Sequence, residues 1–436
     1  MAHINQCTFA VTGKNYQEQY WRTCYDCFHN ASEGVCLNCA ALCHDGHHLG
    51  PLRSGTFFCD CGDQRKCKIG QFSKSNHAYP NLPLPEQMTV YPTVIGQPVN
   101  ILTEKLFNQT SMDRVFSPLS IAYALSLVHL GSGGNTDNEL TQLFGNKYTL
   151  DTLKQMYKLF NNNVVKMTNC LAVNQHQQVN PEYLQMLDSI ALVMNVQFND
   201  DLVKTLNAYI EQNTKGLIKD VIKKVNPSDL AILINTVYFK AKWLNPFDKY
   251  FTKKADFTNA LTTTQVDMMY QKKKIPYYED SAIQLIELPY VGNEFCFGVL
   301  LPKQVGIVPI LDINQLGIVI QSLKSEDVRL SLPKFTHRRN VNLIPLLQQS
   351  GVNDLFTYTA NLDKIAQGTF ISTAIHEAVV IVDEEGTEAA ATTVMMMSKG
   401  LVMTKDFVFN ANHSFIYYIR HNPTNTVLFV GDYHGN

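Results

Sequence analysis

Cysteine and histidine recur along the first part of the chain at spacings that suit a metal ion. The pairs are Cys24-Tyr25-Asp26-Cys27, Cys36-Leu37-Asn38-Cys39, His44-Asp45-Gly46-His47 and Cys59-Asp60-Cys61, with Cys7, Cys43 and Cys67 close by. A gap of two residues lets both members of a pair reach one tetrahedral zinc ion. Of the 11 cysteines only Cys170 and Cys296 lie elsewhere, and these read as buried structural thiols. The stretch 1–70 is too short to bury a sufficient core and has little apolar periodicity. Metal must therefore supply its folding free energy. An oxidised disulfide knot is the alternative. The start, Met1-Ala2-His3-Ile4-Asn5-Gln6-Cys7, has no basic region followed by an apolar stretch. No signal peptide is expected, and in the reducing interior of a cell such a cluster binds metal.

A second pattern lies near the other end. Asp383-Glu384-Glu385-Gly386-Thr387-Glu388-Ala389-Ala390-Ala391-Thr392-Thr393 follows the apolar run Ala378 to Val382. It is an acidic turn, a glycine and a string of small residues without proline. Side chains this small can slip between two existing strands without overpacking a core. Such a segment can leave solvent and become a strand of a sheet. By itself it also fits the start of an alanine-rich helix.

These two patterns sit in an otherwise ordinary globular composition. The 436 residues are 45% hydrophobic and 17% charged, with net charge −2. Nothing in that balance points to nucleic acid or a membrane surface, and no apolar run reaches the ~18 residues of a membrane helix. Residues 71–95 read as a linker, because Asn76 to Pro85 is proline-rich and has no helix or strand period. The chain then divides into a zinc module (1–70), the linker (71–95) and a large domain (96–436). Within the large domain Ser117 caps a helix with Pro118 at its first position, and Gly131 ends it. This helix is apolar nearly all round and should be buried. Strands are expected at Leu233–Lys240, Ile283–Leu288, Glu294–Leu301, Val328–Leu332 and Val427–Val430. Helices and strands mix irregularly, which is an α+β pattern. The chain has no Gly-x-Ser-x-Gly elbow, no P-loop and no complete His-Glu-x-x-His, since His376-Glu377-Ala378-Val379-Val380 lacks the second histidine. No enzyme signature is present.

The first segment resembles a UBR box, the zinc finger of N-degron recognition proteins, through Cys7, the Cys24/Cys27 and Cys36/Cys39 pairs, His44, His47 and Phe58-Cys59-Asp60-Cys61-Gly62-Asp63. The resemblance covers residues 7 to about 70 and implies about three zinc ions, two sharing a thiolate. Such an arrangement takes eleven ligands. Cys7, Cys24, Cys27, Cys36, Cys39, Cys43, His44, His47, Cys59, Cys61 and Cys67 supply them, with His48 or His77 as substitutes for Cys43. Asp60 and Asp63 match two carboxylates that hold the cationic N-terminus of a target in that family. The third falls near Asn30, which weakens the pocket. No RING-like cysteine array follows, so a ubiquitin ligase would be a partner and not this chain.

The large domain resembles a serpin. The carrying stretches are Phe116-Ser117-Pro118-Leu119-Ser120, Asn235 to Lys240 with Trp243 and Pro246-Phe247, Glu287-Leu288-Pro289-Tyr290, Leu301-Pro302, Leu332-Pro333-Lys334-Phe335, Gly351 to Phe356, His376 to Val379, the hinge, Phe415 and Leu428-Phe429-Val430-Gly431. They occur in family order over about 340 residues. The resemblance implies a serpin fold of three sheets with surrounding helices and an exposed reactive loop. It also implies a monomeric suicide inhibitor of serine, and sometimes cysteine, proteases. The loop is cleaved, acylates the protease and inserts as a central strand. Glu384 and Glu385 are expected to stay solvated at the loop base. Gly386 is expected to supply the turn. Thr387, Glu388, Ala389, Ala390, Ala391 and Thr392 form the hinge that enters the sheet. Ser117, Ser120, Asn235 and His376 match the cluster, or shutter, where the sheet parts. A core histidine with its hydrogen bonds satisfied is the plainer reading of His376. Family loop length puts the cleaved bond near Lys399, Gly400 and Leu401, within a window from Met395 to Val402. Two departures, Ser414 before Phe415 and Asp432 after Gly431, put the local packing there in doubt. The competing function is a non-inhibitory serpin acting as a binding protein or ubiquitin-pathway adaptor.

Overall fold

The structure is a computed structural model and describes residues 17–22, 35–36, 53–57, 92–109, 113–145, 147–259, 262–306, 311–387 and 406–435. The chain divides into two compact units, Met1–Gln87 and Met88–Asn436. In the first, β1 (Gln17–Arg22), β2 (Val35–Cys36) and β3 (Arg53–Phe57) form an antiparallel sheet in the order β2-β1-β3.

The second unit opens with helix α1 (Pro92–Gln109), which begins inside the stretch expected as linker. Then come β4 (Val115–Phe116), α2 (Pro118–Leu130), α3 (Gly134–Phe144), α4 (Leu150–Phe160), β5 (Val165–Asn174), α5 (Pro181–Leu187), β6 (Leu192–Val196) and α6 (Asp200–Asn213). Strands β7 (Ala231–Phe239), β8 (Ala241–Lys242), β9 (Lys253–Thr258), β10 (Thr263–Glu279), β11 (Ile283–Pro289) and β12 (Phe295–Pro302) follow. After α7 (Ile313–Gln321) the chain continues through β13 (Lys324–Pro333), β14 (Phe335–Asn342), α8 (Leu343–Gln349), β15 (Ile371–Val382) and β16 (Gly386–Thr387). It ends in β17 (Phe407–Asn410), β18 (Phe415–His421) and β19 (Thr426–Tyr433).

Two large sheets result. The 9-stranded one runs β17-β13-β10-β11-β12-β18-β19-β4, with β9 on β10. The five-stranded one runs β14-β15-β7-β5-β6. All five strands expected from the sequence are present: β11, β13 and β19 run one to several residues longer, β7 begins two residues earlier and ends one short of Lys240, and β12 is shifted by one residue. The capped helix is α2. Ser117 accepts a hydrogen bond from the Ser120 amide, Pro118 sits at the first position, and twelve of its thirteen residues are buried. Gly131 ends α2 without a left-handed turn. Glycine is needed there because a Cβ would lie 2.2 Å from Ile365 Cγ1.

The five-stranded sheet contains an unusual seam. Strands β15 and β7 are its central neighbours and run parallel, from Ile371↔Ala231 to Val379↔Tyr238. Every residue of β7 is buried, the pattern of a strand covered on both faces. α2 packs on one face of the seam through Ser120 and Asn235. On the other, Leu202, Leu206 and Ile210 of α6 cluster with Ile232 and Ile234 of β7.

Candidate functional site: the hinge and the seam

Where β15 ends, the chain turns back on itself. Asp383 makes the turn: its amide donates to Gly386 O at 2.9 Å, and its carboxylate accepts from the amides of Glu385 and Gly386 at 2.8 and 3.1 Å. Gly386 therefore lies just past the turn, in the extended strand β16, and does not supply it. Its glycine is required by close approach instead. A Cβ there would sit 2.1 Å from Ala241 O and 2.8 Å from Lys242 Cα. β16 pairs antiparallel with β8, Gly386↔Lys242 and Thr387↔Ala241. β8 lies two residues beyond the end of β7.

The turn is held from several sides. Trp243 donates through its backbone amide to Glu385 O (2.9 Å) and through Nε1 to Asp383 O (2.8 Å), and Phe247 N donates to Glu384 O (2.8 Å). Glu384 is not solvated as expected. It is 4% exposed, accepts from Lys334 Nζ and Thr252 Oγ1 at 2.8 Å each, and forms an ion pair with Lys334. Burial opposes its ionisation, but these donors outweigh burial and hold its carboxyl below the usual range. Glu385 is also largely covered and pairs with Lys249 at 2.6 Å. The local rule that acidic turn residues face water fails because Lys334, between β13 and β14, and Lys249, in the 3-10 turn Lys249–Phe251, arrive from segments distant in sequence. Thr387 is buried before any cleavage: it is 0% exposed, and its hydroxyl lies 2.6 Å from Tyr290 OH. Tyr290 in turn stacks on Trp243 with ring centroids 4.6 Å apart.

Lower in the sheet, Ser117, Ser120, Asn235 and His376 come together across the seam. His376 of β15 faces Asn235 of β7 in register. The Ser117 amide donates to His376 Nε2 at 3.0 Å. An amide can only donate, so Nε2 is the acceptor and Nδ1 carries the proton. Nδ1 then donates to Asn235 Oδ1 at 2.6 Å, and Ser120 Oγ donates to the same oxygen at 2.8 Å. This fixes the Asn235 amide, whose Nδ2 donates to Asn169 Oδ1 at 2.6 Å. Complete burial pushes the His376 imidazole down to about 3, so it is neutral. Asn169 was absent from the residues picked out in the sequence. Its only signal there is a polar residue in a strand that is otherwise mostly apolar.

The two departures pack well. Asp432 is fully buried and accepts from Arg114 Nε (2.9 Å) and Nη2 (2.7 Å) as well as from the Arg114 amide. Ser414 Oγ lies 2.9 Å from His434 Nδ1. Glu388, Ala389, Ala390, Ala391, Thr392, Lys399, Gly400 and Leu401 lie outside the described residues. So do Asp60, Asp63 and all expected metal ligands except Cys36, which ends β2 opposite Trp21. Among the described residues no group of three or more His, Cys, Asp or Glu is placed to hold a metal ion. No helix of the described residues is long and apolar enough to cross a membrane.

The described residues thus form a sheet with a closed parallel seam between β15 and β7, with the segment 383–387 turned back beside its upper end. Comparison with known proteins identifies this fold. Residues 99–435 match the family model of the serpins, serine protease inhibitors, and residues 6–77 match that of the zinc finger in N-recognin, the UBR box. An uncharacterized serpin-like protein of Acanthamoeba polyphaga mimivirus is 38% identical over 360 residues, covering 78% of this chain and 90% of that protein. The leukocyte elastase inhibitor of Sus scrofa is 31% identical over 349 residues, covering 72% and 91%. Among solved structures, the native thermophilic serpin tengpin superposes with TM-score 0.72 at 24% identity, covering 78% and 94%, which speaks for the fold. Serpin48 of Tenebrio molitor gives 0.66 at 28%, covering 77% and 96%. The chain belongs to the serpin family, a family of protease inhibitors and not of enzymes, and carries a UBR-type zinc finger ahead of the serpin domain.

Proposed function

We propose that this chain traps a serine protease, or a cysteine protease, by reactive-loop cleavage and insertion of the segment from Gly386 onward between β15 and β7. The observation that carries the reading is the hinge. Residues 383–387 already form a hairpin turn running back from β15, with Thr387 seated beside the extension of β7. A strand continuing from Thr387 into the seam would run antiparallel to β15, and therefore antiparallel to β7 as well. Insertion would replace one parallel pairing with two antiparallel ones, which are more stable per residue. It would also move β15 and β7 from about 4.8 Å to about 9.6 Å apart, breaking the His376–Asn235 bond. Ser117, Ser120, Asn235 and His376 are thus the polar gate of the seam. Glu388, Ala389, Ala390, Ala391 and Thr392 are the next to enter, and the cleaved bond lies near Lys399, Gly400 and Leu401.

The zinc finger adds recognition. Cys7, Cys24, Cys27, Cys36, Cys39, Cys43, His44, His47, Cys59, Cys61 and Cys67 hold about three zinc ions, and Asp60 and Asp63 face a cationic N-terminus. The module brings an N-degron-bearing target or a ubiquitin ligase to the inhibitor inside a cell. The UBR-box match also supports the second reading, an adaptor whose serpin domain is a binding platform. Incubation with a panel of trypsin-, chymotrypsin- and elastase-like enzymes separates the two. Inhibition leaves an SDS-stable covalent complex and a released C-terminal peptide beginning between Met396 and Met403. A panel that yields only cleaved or intact chain favours the adaptor.

A further inference from the structure

Beside the hinge the protein leaves large apolar side chains in water. Tyr250 is 85% exposed and Phe251 54% exposed, with their rings edge-on and 5.4 Å apart. Single apolar residues at a surface are ordinary, but clustered ones mark a place where another surface docks. Phe251 borders a groove of about 530 Å³ that is also lined by Tyr270 and Lys272 of β10, Arg329 of β13 and Val408 of β17. Val408 is 58% exposed. Lys272 and Arg329 are more than half exposed and share one carboxylate, Asp406, at 2.7 and 2.8 Å. Lys253, exposed at the start of β9, holds its ammonium 5.0 Å from the centre of the Tyr270 ring. Against these three cations stand Asp406 and the exposed Asp248, whose carboxylate accepts from the Tyr250 amide at 2.9 Å. The surface is therefore aromatic and apolar, with one positive charge in excess.

The position of this surface points to what covers it. Tyr250 and Phe251 face solvent, while the residues on either side of them hold the hinge: Lys249 pairs with Glu385 at 2.6 Å, and Thr252 donates to Glu384 at 2.8 Å. On the other side, Asp406 leads directly into β17 (Phe407–Asn410) after the loop. The groove thus adjoins both points at which the loop meets the body of the domain. We propose that it is a second contact surface for the protease that cuts the loop, and that it receives an apolar side chain flanked by a carboxylate on the rim of that enzyme's active-site cleft. This rests on the trapping reading above, because an enzyme working on the chain between 387 and 406 is brought against this face. Lys399 alone would suit any enzyme with an acidic specificity pocket. The loop sequence therefore discriminates little among such enzymes, and a contact outside the cleft discriminates more. Aromatic anchors carry a large share of the free energy of an interface, and they act mainly by slowing dissociation of the first complex.

The test is the second-order rate constant of inhibition, measured with the full chain and each enzyme of the panel that forms an SDS-stable complex. Tyr250→Ser combined with Phe251→Ser removes the two anchors at positions that lie mostly in water. Val408→Lys blocks the groove instead, by bulk and charge, at an exposed position of β17. Against the enzyme that the wild type inhibits fastest, each change should lower the rate constant about tenfold. The melting temperature and the final yield of complex should stay as in wild type, because insertion and deacylation compete only after the loop is cut. If the double variant melts early, Val408→Lys alone decides. Rate constants within about twofold of wild type would overturn the contact and leave trapping standing. A lower yield of complex at an unchanged rate constant would also overturn it, since the turn would then act on the hinge and not on the enzyme. A panel that gives no complex at all overturns trapping, and this contact with it.

Discussion

Replacing Thr387 by arginine should convert the inhibitor into a plain substrate. In the uncleaved chain Thr387 is fully buried and its hydroxyl bonds to Tyr290. Losing that bond costs about 1 kcal/mol, and an unpartnered guanidinium in the same space costs several more. The uncleaved protein can limit the loss by releasing Gly386 and Thr387 from β8, so its melting temperature should fall by only about 4 °C for about 2 kcal/mol. An inserted strand has no such escape, because residue 387 stands at its mouth and must enter first. A penalty of about 3 kcal/mol at the barrier slows insertion more than ~100-fold. Deacylation then wins and the protease is released. The assay is the stoichiometry of inhibition together with the yield of SDS-stable complex, with Thr387→Ser as a control that keeps the hydroxyl. A Thr387→Arg protein that forms complex as efficiently as wild type would refute the reasoning.

Stability should fall on acidification as buried histidines are forced to charge. Burial holds the folded imidazole of His376 at about 3 against 6.5 unfolded, so its contribution is full above pH 6.5 and is lost as pH falls. At pH 5 that loss is about 2 kcal/mol. His129, His337 and His421, each pushed down to about 4, act in the same direction, and a flat urea midpoint between pH 7 and 5 would contradict this. Asp432→Lys should strand Arg114 beside a buried cation and cost about 3–5 kcal/mol, read as a lower denaturant midpoint; a neutral effect would show that the Arg114 pair is dispensable. Metal analysis of the full chain should find about three zinc ions, and one or none would sink the ligand assignment. Peptides beginning with Arg or Lys should bind weakly, because Asn30 stands where a third carboxylate is expected. Sub-micromolar affinity in a titration would show that Asp60 and Asp63 suffice.

Much of the fold was legible because it is written locally. Ser117-Pro118 marks the start of α2 through cap chemistry, and the buried strands show as apolar runs. Family motifs carried the residues of the seam to their positions before their contacts were known. What stayed hidden is set by distant partners. Glu384 reads as solvated until Lys334 is brought to it by β14's approach to β15, and Gly386 reads as a turn until β8 is seen against its Cα. Asp432 and Ser414 read as misfits because Arg114 and His434 are not adjacent to them in any motif. Asn169 has no motif at all, and its place in the seam appears only when the hydrogen bonds are followed from Ser117 to Asn235 and on to it.

The central claim, that the segment from Gly386 can become a strand between β15 and β7, is tested most directly by nicking the loop and remelting the protein. Limited proteolysis between Met395 and Val402 leaves both fragments associated and frees the segment to insert. Roughly ten new ladder bonds at about 1 kcal/mol each should raise the melting temperature by at least about 10 °C. A nicked protein that melts where the intact one does, with its loop residues still open to a second protease, would contradict insertion.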